Sequence, residues 1–230
     1  MEEMNQNFSN YVDNPVMERN SVFSKVFSWM FIGLLITGVS AYYVYASGLW
    51  LTLFTSNIIY LSMILELVLV FAVSYSLSRL STTAATILFA IYSAVNGVNL
   101  SSIFAIYEIN SMGIILLETS LLFGVLALIG HNTKIDVTKW GNILMIALLV
   151  SLVASIINIF IGSETFDLAV TWITLLIFGG FTIYDIKKIE LLINSGYDEK
   201  RVAIYGALQL YLDFINIFIK LLRLYGRRRD

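Results

Sequence analysis

The stretch WGNILMIALLVSLVASIINIFI, from Trp140 to Ile161, decides what kind of protein this is. It contains no charged residue and no proline. A helix of about 20 such residues, rising 1.5 Å per residue, covers the roughly 30 Å hydrocarbon core of a bilayer. Working outward, comparable apolar stretches lie near 24–46, 53–77, 83–107, 112–130, 168–190 and 202–224. The connections between them are short and polar, as in Ala46-Ser47-Gly48, Gly162-Ser163-Glu164 and the segment from Asn194 to Arg201. None could hold a soluble domain. The pattern predicts an all-α fold, a polytopic membrane bundle of seven transmembrane helices. Residues 1–20 read as a polar N-terminal tail, 21–226 as the transmembrane domain and 227–230 as a basic C-terminal tail.

Composition agrees and excludes much else. Of 230 residues, 58% are hydrophobic and 13% charged, where a soluble domain uses about 25% charge to make its polar skin. Without cysteine there is neither a disulfide framework nor a thiolate metal site. A single histidine, His131, rules out a multi-histidine metal site within one chain. The net charge of −2 gives no argument for nucleic acid. The first 20 residues lack the basic start and short apolar run of a cleavable signal. No nucleophile–histidine–acid set and no glycine-rich phosphate loop stand out, so an enzyme, and a cofactor to serve one, are not expected.

Lysine and arginine are distributed unevenly between alternate connections. Arg19, Lys25, Arg79, Lys134, Lys139, Lys187, Lys188, Lys200 and Arg201 fall on one side of the predicted membrane, and the loops after the first, third and fifth stretches contain none. Cytoplasmic loops are the ones enriched in these residues, which predicts a cytoplasmic N-terminus. Arg223, Arg227, Arg228 and Arg229 dissent, since a seventh full span carries them to the other side. A re-entrant last segment would bring them back. Seven spans is the reading favoured by length.

Ionisable groups inside a bilayer cost at least a few kcal/mol, so each is a functional candidate by default. Glu66, Glu118, Asp185 and Asp213 all fall within apolar stretches. In the last stretch Gln209, Asp213, Asn216 and Lys220 recur at spacings of four, three and four, so they share one helix face. Such a stripe must face protein or water rather than lipid, which makes this a central or pore-lining helix. The last two stretches form an antiparallel pair, with Asp185 about nine residues before the connecting loop and Asp213 about twelve after it, so their depths differ by roughly 4–5 Å. Two buried carboxyls that close cannot both ionise cheaply. They are expected to hold one proton in common and to titrate as a pair. Once deprotonated, the same oxygens are hard ligands suited to Ca²⁺. The plainer reading is a protonated carboxyl that hydrogen-bonds a neighbouring helix and holds the bundle together. Asn96 and Asn99, nearly a turn apart, read as such interhelical glue, and Lys220 and Arg223 as side chains that snorkel to the interface.

Four stretches, in order, resemble the Bax inhibitor-1 family of transmembrane proteins. The most specific is the run Gly206 to Arg223, with Tyr211-Leu212-Asp213-Phe214-Ile215-Asn216 at its centre. The others are Phe178 to Asp185, Thr133 to Asp136 and Asn96 to Phe104. The resemblance implies a seventh helix surrounded by the other six and a Ca²⁺ leak that responds to pH through two aspartates. Here those fall on Asp185 and Asp213. It also implies a latch by an arginine at the end of the second span, for which Arg79 is the candidate. Glu66 and Glu118 fall where the family often carries acids.

The expected function is therefore a pH-sensitive calcium leak channel of a bacterial plasma membrane. Its partners are the lipid bilayer, protons and Ca²⁺, the last as permeant ion rather than cofactor. A non-conducting regulator of a membrane protease, with the N-terminal tail as its handle, is one alternative. A proton-coupled calcium exchanger is the other.

Overall fold

The computed structural model describes residues 2–56, 58, 61, 62, 64, 65, 68, 69, 81–137 and 139–229, with the backbone alone over 2–19. Eight helices follow one another among the described residues: α1 (Glu2–Ala46), α2 (Leu49–Thr55), α3 (Thr82–Leu100), α4 (Ile103–Ile106), α5 (Ile109–Asn132), α6 (Trp140–Ile161), α7 (Glu164–Asn194) and α8 (Glu199–Tyr225). Among the described residues six segments are long and apolar enough to cross a bilayer, with α3 and α4 counting as one. The stretch near 53–77 lies largely outside the described residues. The protein is a polytopic helical membrane protein.

Local chemistry ends each helix where the turns require it. Ser81, Ser163 and Asp198 cap α3, α7 and α8, their side-chain oxygens accepting from the backbone N–H of Ala84, Phe166 and Arg201. Gly162 closes α6 in the left-handed region at φ 69°, where a side chain would be strained. Asn158 then clamps the α6–α7 turn, its amide bonding the Ser163 carbonyl at 3.1 Å and its carbonyl accepting the Ser163 N–H at 3.2 Å. Within the spans, hydroxyls turn back on their own helix. Ser93, Thr119, Ser151, Thr174 and Thr182 each donate to a carbonyl four residues earlier, which satisfies these five O–H groups in an apolar medium.

The core of the bundle is α8. In its apolar window 78% of residues are buried, against 6% for α6. It packs against α1, α3, α5 and α7, while α6 lies outside against α7. Large apolar side chains such as Leu149, Val153 and Phe160 stand exposed on α6. That outward-facing apolar surface is what a lipid solvent permits and water would not.

Glycines set how closely the central helices approach. A Cβ on Gly97 would come within 2.5 Å of the Thr37 carbonyl, so α1 and α3 meet backbone to side. At Gly206 it would meet Ile189 at 2.8 Å and Val26 at 3.2 Å, where α8 lies between α7 and α1. Small residues at such crossings let helices touch without a hydrophobic drive to assemble.

The helix ends define two faces. Lys25 of α1 bonds Glu199 of α8 at 2.7 Å, and the Phe23 ring meets His131 edge-on, which marks the near end. At the far end the chain after α8 lies alongside the turn before α5. Glu108 N–H donates to Arg227 O at 3.0 Å and Arg229 N–H to Ile106 O at 2.9 Å. The last helix is therefore continuous from the near end to the far end rather than re-entrant. It delivers four arginines to the far end, where three find partners: Arg223 pairs with Asp167, Arg227 with Glu108 at 3.9 Å, and Arg229 with the Tyr45 hydroxyl.

Candidate functional site

Helices α7 and α8 are joined by a turn of a few residues around Gly196 and pack along their length as antiparallel neighbours. That geometry brings Asp185 and Asp213 together. Each is 4% exposed, and Asp185 lies close enough across the helix interface for its charge to act on the Asp213 carboxyl. Thr182, one turn before Asp185 toward the far end, stands beside the Asp213 carboxyl. Its hydroxyl hydrogen is committed to the Phe178 carbonyl at 2.9 Å. The level of Asp213 is thus about 4–5 Å from that of Asp185, three residues at 1.5 Å each.

Asp213 is buried and incompletely satisfied. Its Oδ2 has no hydrogen-bond partner among the described residues. A buried carboxyl oxygen without a partner costs of the order of 1–3 kcal/mol or more, a cost that a bound proton or cation removes.

The rest of the predicted polar set divides. On α8 the half-buried positions Gln209, Leu212, Asn216, Ile219 and Lys220 follow one another along a single face, and nearly all else from Val202 to Leu222 is buried. The polar stripe is therefore the open face of an otherwise enclosed helix. Asn216 spends its amide on the Leu212 carbonyl at 2.8 Å. Glu118 does not join the aspartates. It is exposed on α5 and lines a cleft of about 440 Å³ at the far end, with Glu108, Asn110, Ser111, Tyr225 and Arg227. Glu66 and Arg79 lie outside the described residues.

Two groupings were not foreseen. Tyr211, fully buried on α8, places its hydroxyl 2.6 Å from Thr37 Oγ1 of α1 and 3.0 Å from Asn96 Oδ1 of α3, while Thr37 donates to the Ser93 carbonyl at 2.9 Å. Three helices are tied there, and the glue reading of Asn96 describes its contact. Asn99 likewise accepts from Ser62 Oγ at 2.5 Å. The second grouping is Lys188, whose ammonium donates to the Tyr205 hydroxyl at 2.6 Å. Its signal in sequence was available, since the two residues lie equally far from the α7–α8 turn.

Comparison with known proteins agrees with this architecture. Residues 19–230 match the family described as "Inhibitor of apoptosis-promoting Bax1". The chain is 36% identical to the inner membrane protein YbhL of Escherichia coli (strain K12), over 96% of this chain and 97% of that one. It is also 36% identical to a protein of Borreliella burgdorferi, over 94% and 95% of the two chains, and 37% identical to a membrane protein of Streptococcus pyogenes serotype M1, over 90% and 93%. With the match running from the first span to the end of the chain, this protein belongs to the Bax inhibitor family.

Proposed function

We propose that this protein is a pH-sensitive calcium leak channel of a bacterial plasma membrane, with its N-terminus in the cytoplasm. The observation that carries the reading is the Asp213 carboxyl, buried on the central helix with Oδ2 unbonded and Asp185 facing it. Two carboxylates held close in a dry interior repel each other, and a proton or a hard cation relieves the repulsion. Protons and Ca²⁺ then compete for the same oxygens, so flux depends on pH. The open polar face of α8, with Gln209 and Asn216 at its half-buried positions, offers ligands along the approach. Orientation follows from the basic near end, where Lys25, Lys187, Lys188 and Arg201 gather. The far-end arginines count against it, but the nine lysines and arginines of the other connections outnumber these four.

The test is reconstitution in liposomes with an entrapped Ca²⁺ dye, between about pH 6 and 8. Wild-type protein is expected to leak Ca²⁺ with a pH-dependent rate, and Asp185→Asn and Asp213→Asn to change both rate and pH profile. Equal flux from Asp213→Asn and wild type across that range would sink the assignment. Uphill Ca²⁺ movement driven by a pH gradient would replace the channel with an exchanger. Protein that is folded yet passes no Ca²⁺ would leave the regulator of a membrane partner.

A further inference from the structure

One turn beyond Asp185 toward the near end, on the same face of α7, stands Lys188. Its ammonium is within electrostatic reach of Asp185 yet forms no ion pair among the described residues. It is bonded instead to a neutral phenol, the Tyr205 hydroxyl on α8, at 2.6 Å. At 5.2 Å from the Tyr205 ring centre the nitrogen sits out beyond the hydroxyl rather than over the ring face, so this contact is a hydrogen bond and not a cation–π stack. The Tyr184 ring flanks the other side at 5.7 Å. Both tyrosines are fixed by packing. Tyr205 is buried, and the Tyr184 hydroxyl occupies the space that a side chain on Gly141 of α6 would need.

A lysine held on a phenol beside a carboxylate is a cation parked next to an anion site. The lysine stem is flexible, with an ammonium at the end of four rotatable carbons, and Asp185 is the carboxylate one turn away on its own face of α7. Losing the Tyr205 bond would leave the ammonium without that acceptor in a low-dielectric region, and the carboxylate is the stronger acceptor. We propose that Lys188 is a resident counter-ion of the aspartate pair, which swings between Tyr205 and Asp185 and competes there with the permeant cation. Tyr205 sets the balance: while it holds the ammonium, the carboxylates are free to take a metal ion. The proposal rests on the leak reading of the aspartate pair.

The test compares Lys188→Met, Tyr205→Phe and the double variant, by Ca²⁺ flux in liposomes and by Ca²⁺ binding to the purified protein in detergent. Lys188→Met keeps the length of the side chain and removes the charge. It is expected to raise flux and tighten Ca²⁺ binding roughly three- to tenfold, a modest shift on an affinity scale where about 1.4 kcal/mol is tenfold. Tyr205→Phe frees the ammonium and is expected to weaken binding by a similar factor. In the Lys188→Met background Tyr205→Phe should do nothing, which a double-mutant cycle reads directly. Lys188→Arg, which keeps the charge, serves if the methionine variant does not fold and should bind Ca²⁺ no more tightly than wild type. Unchanged binding in Lys188→Met, or an equal effect of Tyr205→Phe in both backgrounds, overturns the proposal while the leak reading stands. Insensitivity of flux to Asp213→Asn overturns the leak reading, and the counter-ion role with it.

Discussion

Tyr211 of α8, two residues before Asp213, and Thr37 of α1 meet hydroxyl to hydroxyl at 2.6 Å, both buried. The pair ties the central helix to the first one and, through Asn96, to α3. Phe89 and Tyr92 enclose the Tyr211 ring edge-on at 5.6 and 5.8 Å, so removing the hydroxyl alone leaves the ring in place. Tyr211→Phe therefore isolates the polar contact. It is expected to cost about 1–3 kcal/mol, the penalty for leaving buried partners unsatisfied. Thermal unfolding in detergent should show the loss, and Thr37→Val combined with Tyr211→Phe should cost less than the sum of the two.

The α1–α3 crossing makes a second, sharper prediction. Any side chain at Gly97 would press on the Thr37 carbonyl at 2.5 Å and on Ser40 Cβ at 2.7 Å, neither of which can swing away as a side-chain tip could. Gly97→Ala should therefore destabilise the protein by roughly 1–3 kcal/mol despite alanine's better helix propensity. Gly124 of α5 is the control, because a Cβ there meets nothing within 4 Å. Gly124→Ala should be neutral or stabilise by up to about 1 kcal/mol. Melting curves in one detergent compare the two directly.

These contacts also mark how far sequence reasoning reached. Apolar length located the spans, and α6 coincides with the stretch Trp140 to Ile161. For α7 the apolar stretch 168–190 is shorter than the helix Glu164–Asn194, since hydrogen bonding continues through charged residues until Ser163 and the turn at Gly196 stop it. The Asp185–Asp213 approach was legible because a short loop fixes the relative depth of two antiparallel helices. Glu118 was not, because its position depends on how α5 is rotated about its own axis, and a helix apolar on every side gives no phase. Tyr211 and Lys188 were missed for different reasons. An aromatic in an apolar run reads as packing, and Lys188 reads as one more charge at a membrane edge.

The absence of native cysteine makes the orientation directly measurable. Ser47 is exposed at the far end, after α1, and Ser195 is exposed at the near end, between α7 and α8. With the N-terminus cytoplasmic, Ser47→Cys should react with a membrane-impermeant maleimide added to intact cells. Ser195→Cys should react only after the membrane is opened. The reverse pattern would turn the protein over. The nine Lys and Arg residues of the near-end connections, against four arginines at the far end, weigh against that reversal.

The proposed leak fixes the sign of one further effect. If the Asp185 and Asp213 oxygens take either ion, as proposed, a metal ion must displace whatever proton the pair shares. Ca²⁺ affinity should therefore rise with pH, by up to about tenfold per pH unit where one proton is released for each ion bound, and level off once the pair is fully ionised. Asp213→Asn leaves a single carboxylate that cannot share a proton in this way, so both the affinity and its pH slope should fall. Calorimetry in two buffers of different ionisation heat counts the protons released per Ca²⁺. Zero protons released by the wild-type protein at the pH where its flux is changing would mean that the ion and the proton do not meet at these two aspartates.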